Sequence, residues 1–128
     1  MAVRIVRLGS PRHATEGLRI GTVRRPPRGV PKTEFASGNW YDVWFPNLAP
    51  SVQTMQLGQA ATTPAQWTAF TKKYRAEIAT PDPSRTLDLL AALSATTHFS
   101  VGCYCADEAH CHRSVLRALL AERGAKFA

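Results

Sequence analysis

At 128 residues, 45% hydrophobic and 20% charged, the chain has the size and composition of one globular domain around a single core. No apolar run approaches the roughly 20 residues that span a bilayer, and three cysteines crowded into one stretch argue against a secreted disulfide framework. The net charge of +7 is uneven: residues 1–32 carry eight basic residues against one acid, Glu16, and the rest of the chain is balanced.

Such a concentrated positive field favours an anionic partner, either a small phosphate-bearing molecule or nucleic acid. The first residues, Met-Ala-Val-Arg-Ile-Val-Arg, interrupt their apolar positions with arginine and lack a secretory core. The expected compartment is the reducing cytoplasm, with no membrane partner.

Val3–Leu8 and Leu18–Val23 read as short strands joined by a loop holding Gly9, Ser10, Pro11 and Gly17. Arg24-Arg-Pro-Pro-Arg-Gly-Val-Pro31 contains three prolines, which remove donors and restrict φ, so an extended loop is predicted. Asn39–Phe45 is aromatic and β-prone, and the segment from there to Ala61 is irregular or a short helix. Thr63 and Gln66 have capping-box spacing with Pro64 at the first helical position. Trp67, Phe70, Tyr74 and Ile78 then recur at helical spacing, as a core-facing stripe does.

Pro81 and Pro83 end that helix and open another, with Asp82 or Ser84 as the expected cap. A strand from His98 to Tyr104 and a helix from about His112 to Arg123, stopped by Gly124, complete the chain. The prediction is a single α/β domain over 1–128, with a mixed or mostly parallel sheet flanked by helices and a C-terminal strand–loop–helix site.

That last unit carries the chemistry. Cys103-Tyr-Cys-Ala-Asp-Glu-Ala-His-Cys-His-Arg-Ser114 holds every cysteine of the protein. Cys111, His112 and Arg113 fall at a helix start, where free N–H groups and the helix dipole favour negative charge. Arg113 and Ser114 suit an anion, Cys111 a thiolate nucleophile, and His112, Asp107 or Glu108 proton transfer. The loop of cysteine-dependent phosphatases does not fit: its spacing, counted back from Arg113, puts Asp107 where the cysteine belongs.

A second reading is a zinc site built from Cys103, Cys105, Cys111 and one of His110 or His112. Against it, a strand continuing through Cys103 and Cys105 would set their side chains about 7 Å apart on one face, so no cofactor is the first expectation. A third reading packs Cys103 as a small hydrophobe at the end of a buried strand.

Cys111-His-Arg-Ser-Val-Leu116 after a strand and polar loop resembles the closing signature of domain-of-unknown-function family 488. Arg24–Pro31, Trp44–Ser51 and the Trp67–Ile78 helix are similar in order to segments of its YeaO-like branch, although Arg24 and Pro26 replace the aspartate and tryptophan common there. The resemblance implies an α/β fold and a site joining Arg28 and Gly29 to Cys111, His112 and Arg113, with no reaction attached.

The functional expectation is an enzyme acting on a phosphate-bearing substrate, nucleotide or nucleic acid. Arg28, with Arg24 and Arg25, and Arg113 would grip the anion, Gly29 would allow close backbone approach, and Cys111 or a neighbouring carboxylate would act on it. A non-catalytic nucleic-acid-binding module and a zinc-binding or redox-sensing domain are the alternatives.

Overall fold

A computed structural model describes residues 1–128 as four strands and four α-helices. The strands are β1 (Val3–Arg7), β2 (Leu18–Gly21), β3 (Val43–Trp44) and β4 (Phe99–Cys103), and the helices are α1 (Val52–Ala60), α2 (Pro64–Ile78), α3 (Pro81–Leu93) and α4 (His112–Glu122). All strand pairs are parallel, in the order β1-β4-β2-β3. The last strand in the chain therefore lies between the first two. Parallel neighbours require crossovers, and those around β4 are the 8–17 loop and the helical segment from α1 to α3.

Register aligns Val3 and Leu18 with Phe99, and Ile5 and Ile20 with Val101. Side chains alternate along a strand, so Val3, Phe99, Val101 and Cys103 share the face that the helices cover. There Val3, Phe99 and Val101 pack with Phe70, Tyr74 and Ile78 of α2, Leu87 and Leu90 of α3, and Val115, Leu116, Leu119 and Leu120 of α4, whereas Cys103 packs at the end of the sheet with Leu8, Val23, Tyr41 and Cys111. Loops cover the opposite face. Glu16 reaches Ser100, and Tyr41 lies against Gly21.

The capping box of α2 forms as its spacing predicts, with Thr63 accepting from the Gln66 amide and Gln66 bonding back. At α3 the cap is Thr80, and its side chain makes no capping bond to the first turn. Asp82 and Ser84 instead lie inside the helix. Both prolines fit there because the first-turn N–H groups have no intrahelical acceptor to lose.

The predicted Asn39–Phe45 strand shortens to Val43–Trp44. Asn39 takes a positive φ of 62°, and the Trp40 and Tyr41 amides both donate to Phe35, which folds that end into a turn. The weakly marked segment before Ala61 forms α1, capped by Ser51. No helix is long and apolar enough to cross a membrane.

Candidate functional site

The carboxyl ends of β1, β2 and β4 open into one cleft of about 1420 Å³, closed on its far side by α1 and α2. This edge of a parallel sheet is the usual ligand position in α/β proteins. Arg7 to Pro11 follow β1, Val23 to Arg28 follow β2, and Cys103 to Cys105 end β4, with Cys111 and His112 starting α4. Four arginines (Arg7, Arg24, Arg25 and Arg28) line the cleft, and no aspartate or glutamate does. Trp40, Trp67 and Tyr104 add aromatic surface.

At the floor, β4 stops at Cys103, so the chain turns before Cys105. The two sulfurs then approach to 3.7 Å, about half the separation expected for a continuing strand. Cys111, the N-cap of α4, is buried beside them. The neighbouring Cys103 and Cys105 thiols push its thiol pKa well below the ordinary value. Cys103 is pushed in the opposite direction by the sulfurs of Cys105 and Cys111 and by burial. For Cys105, the Cys103 contact lowers the pKa, but Cys111 and burial outweigh it and the net shift is upward. All three cysteines are free.

His112 is buried, with Nε2 2.7 Å from the Thr22 carbonyl and Nδ1 4.0 Å from Cys111 Sγ. A carbonyl only accepts, so Nε2 carries the proton and Nδ1 presents a lone pair to the sulfur.

The other predicted site residues divide between cleft and scaffold. Arg25 and Arg28 are exposed at the cleft. The Arg25 carbonyl accepts from the Tyr104 hydroxyl at 2.8 Å, which ties the proline loop to the end of β4. Arg24 lines the cleft but spends its donors on the Ala49 and Pro50 carbonyls. Gly29 takes a φ of 71° at an exposed turn with open space around it, and it is not part of the cleft wall.

Arg113 is buried, donates to the Cys105 carbonyl at 2.6 Å, and leaves its Nε without a partner. It supports the cysteine loop from behind and does not line the cleft. Ser114 donates back to the Cys111 carbonyl. Asp107 pairs with exposed His110, and Glu108 with Arg117, so both carboxylates are engaged outside the cleft wall. Each is held below the ordinary carboxylate range by that partner, His110 and Arg117 respectively.

Sequence reasoning missed Arg7 and Tyr104, and read Trp67 as core. Arg7 carried a findable signal, since it ends the first strand at the edge where ligands bind. Trp67 stacks on Phe70 at 4.6 Å as the helical stripe implies, yet it is only half-buried and also lines the cleft.

The fold and site together define a parallel α/β domain with an arginine-lined cleft over a cysteine–histidine floor. A family model described as the active DUF488-N3 subclade, DUF488-N3a, matches residues 3–124. The chain belongs to this family of domains of unknown function. No curated protein and no solved structure matches it at a significant level.

Proposed function

We propose that this protein is an enzyme acting on a phosphate-bearing substrate, a nucleotide or a nucleic-acid segment, bound in the cleft at the carboxyl edge of the sheet. The observation that carries this reading is the sign of the lining: four arginines and no carboxylate among the residues that form the wall. Arg25 and Arg28, exposed and without side-chain partners, are the groups that grip phosphate. Arg7 also lines the cleft but donates its Nε to the Tyr104 carbonyl. Trp40 and Tyr104, edge to face at 6.0 Å, offer a surface for a base.

Cys111 and His112 at the floor are the groups that act on the bound substrate. The subclade's description as active supports an enzyme over a passive binding module. Asp107 and Glu108 have no part in this reading, because their charges are already paired. A reducing compartment suits three free cysteines.

The test is calorimetric titration with inorganic phosphate, nucleoside mono- and triphosphates and a short single strand. Saturable, salt-sensitive binding that disappears in the Arg25→Ala/Arg28→Ala variant is expected. Turnover of the bound ligand should then be lost in Cys111→Ser while binding survives. Absence of binding to every one of these anions would sink the reading.

A further inference from the structure

We propose that the floor of the cleft is a soft-metal site in which Cys103, Cys111 and His112 bind a zinc ion, with the exposed thiol of Cys105 beside its fourth position. The Sγ atoms of Cys103 and Cys111 and a ring nitrogen of His112 all lie within 4.8 Å of one another, and all three residues are buried.

Those separations are the size a metal requires. Zinc–sulfur bonds of about 2.3 Å in a tetrahedron set neighbouring sulfurs about 3.8 Å apart. Cys103 and Cys105 stand at 3.7 Å, and Cys111 Sγ and His112 Nδ1 at 4.0 Å. The three ligand atoms, within 4.8 Å of one another, need to draw in by about 1 Å to close on an ion.

The histidine is already oriented as a ligand. Its Nε2–H is committed to the Thr22 carbonyl at 2.7 Å, the outer-shell bond that fixes the tautomer and ring plane of metal-binding histidines. The remaining lone pair, on Nδ1, has only Cys111 Sγ as its hydrogen-bonding neighbour. Two anchored elements supply the ligands, the end of the central strand and the first turn of α4.

The donor set of two thiolates and an imidazole selects zinc over calcium or magnesium. Arg113, buried behind Cys105 and bound to its carbonyl, provides positive charge beside the thiolates. His110 stands outside this set, exposed and bonded to Asp107.

Three buried ligands with a fourth position toward a cleft match the arrangement of catalytic rather than structural zinc. Cys111 and His112 then act on the substrate through the ion, which polarises a phosphate oxygen held by Arg25 and Arg28. This last role rests on the phosphate reading, whereas the metal site itself does not.

The experiment uses the full chain, purified under reducing conditions, stripped with chelator and back-titrated with zinc or cobalt(II). One equivalent of zinc is expected. Cobalt should give the visible bands of a tetrahedral ion and a thiolate charge-transfer band with the intensity of two or three sulfurs. Cys111→Ser and His112→Ala should weaken zinc binding by more than about a hundredfold, beyond the loss of an outer-shell partner, while His110→Ala binds as the parent does.

Should those variants unfold, the cobalt spectrum of the unaltered protein decides alone. A spectrum without a thiolate band, or less than stoichiometric zinc, overturns the site. Phosphate titration of the same samples separates the two proposals. Zinc without phosphate binding leaves the metal site and removes the phosphate reading, and phosphate without zinc does the reverse.

Discussion

The ring of Tyr74 stands edge-on to that of His112, with centroids 5.6 Å apart and planes at 76°. Its hydroxyl donates to the Leu48 carbonyl in the core. The imidazole is thus held by the Thr22 carbonyl at Nε2 and by an aromatic edge at its side, so the floor of the cleft is built into the main core. Tyr74→Phe keeps the ring and removes only the buried hydrogen bond. A loss of about 1–2 kcal/mol is expected, read from urea unfolding, with ligand and metal binding unchanged. Tyr74→Ala also removes the ring, so about 3–5 kcal/mol and weakened binding are expected. Equal binding in the two variants would show that the ring does not position His112.

Arg25 and Arg28 should matter for binding and not for folding. Both are exposed, and no hydrogen bond or ion pair engages their guanidinium groups. Replacing either with alanine should weaken phosphate-ligand binding on the order of tenfold, from about 1.5 kcal/mol per charge-assisted hydrogen bond. The melting temperature should stay within about 2 °C of the parent, as for a neutral surface change. Arg24→Ala should differ, because it strips the Ala49 and Pro50 carbonyls of their donors, and there a lower melting temperature is expected.

Beneath the opposite face of the sheet, Glu16 and Arg19 form a buried ion pair at 2.7 Å, with Ser100 donating to the same carboxylate. Burial alone would raise the Glu16 pKa, but Arg19 and Ser100 hold it at about 2, below the ordinary 4.5. The folded value lies below the unfolded one, so the stabilisation is fully present above about 4.5 and is lost as pH falls toward about 2. Unfolding midpoints measured across that window should fall in the parent. Glu16→Gln should flatten this dependence and cost about 3–5 kcal/mol near neutrality, since it leaves the Arg19 charge unpaired. An unchanged pH profile in Glu16→Gln would assign the acid sensitivity elsewhere.

How much of this was legible beforehand follows from the range of the interactions. The α2 cap, its Trp67–Ile78 stripe and the α4 boundaries are local, set by residues three or four apart, and the structure bears them out. The strand order was not legible, because nothing in Val3–Arg7 or Leu18–Gly21 states that β4 will insert between them. The cysteine loop was visible as a cluster, but its internal geometry depended on where β4 stops. One residue of strand, at Tyr104, separates a 3.7 Å sulfur pair from a splayed one. Arg113 illustrates the same limit. A helix-start arginine reads as an anion ligand, and burial behind Cys105 appears only once α4 is docked.

Gly102 links the sheet to the floor of the cleft. It lies in the middle of the β1-β4-β2 ladder, aligned with Val6 on one side and Gly21 on the other. A Cβ built there would stand 2.7 Å from Leu8 Cδ2 and 2.8 Å from the Val6 carbonyl oxygen. Leu8 can rotate away, but the Val6 carbonyl belongs to the β1 strand backbone and cannot withdraw without distorting it. Gly102→Ala is therefore expected to cost about 1–3 kcal/mol, as overpacking does. Adding Leu8→Ala relieves only the Leu8 clash and leaves those with the Val6 carbonyl and Val6 Cγ2, so it should not restore the parent stability. Leu8 packs with Cys103 and Cys111, so the strain should also reach the sulfurs and weaken metal binding in a protein that remains folded. Urea unfolding of the single and double variants checks the first part, and cobalt titration of the single variant checks the second. A Gly102→Ala protein as stable as the parent would mean that β1 yields at Val6, and the sheet edge would then be softer than its packing implies.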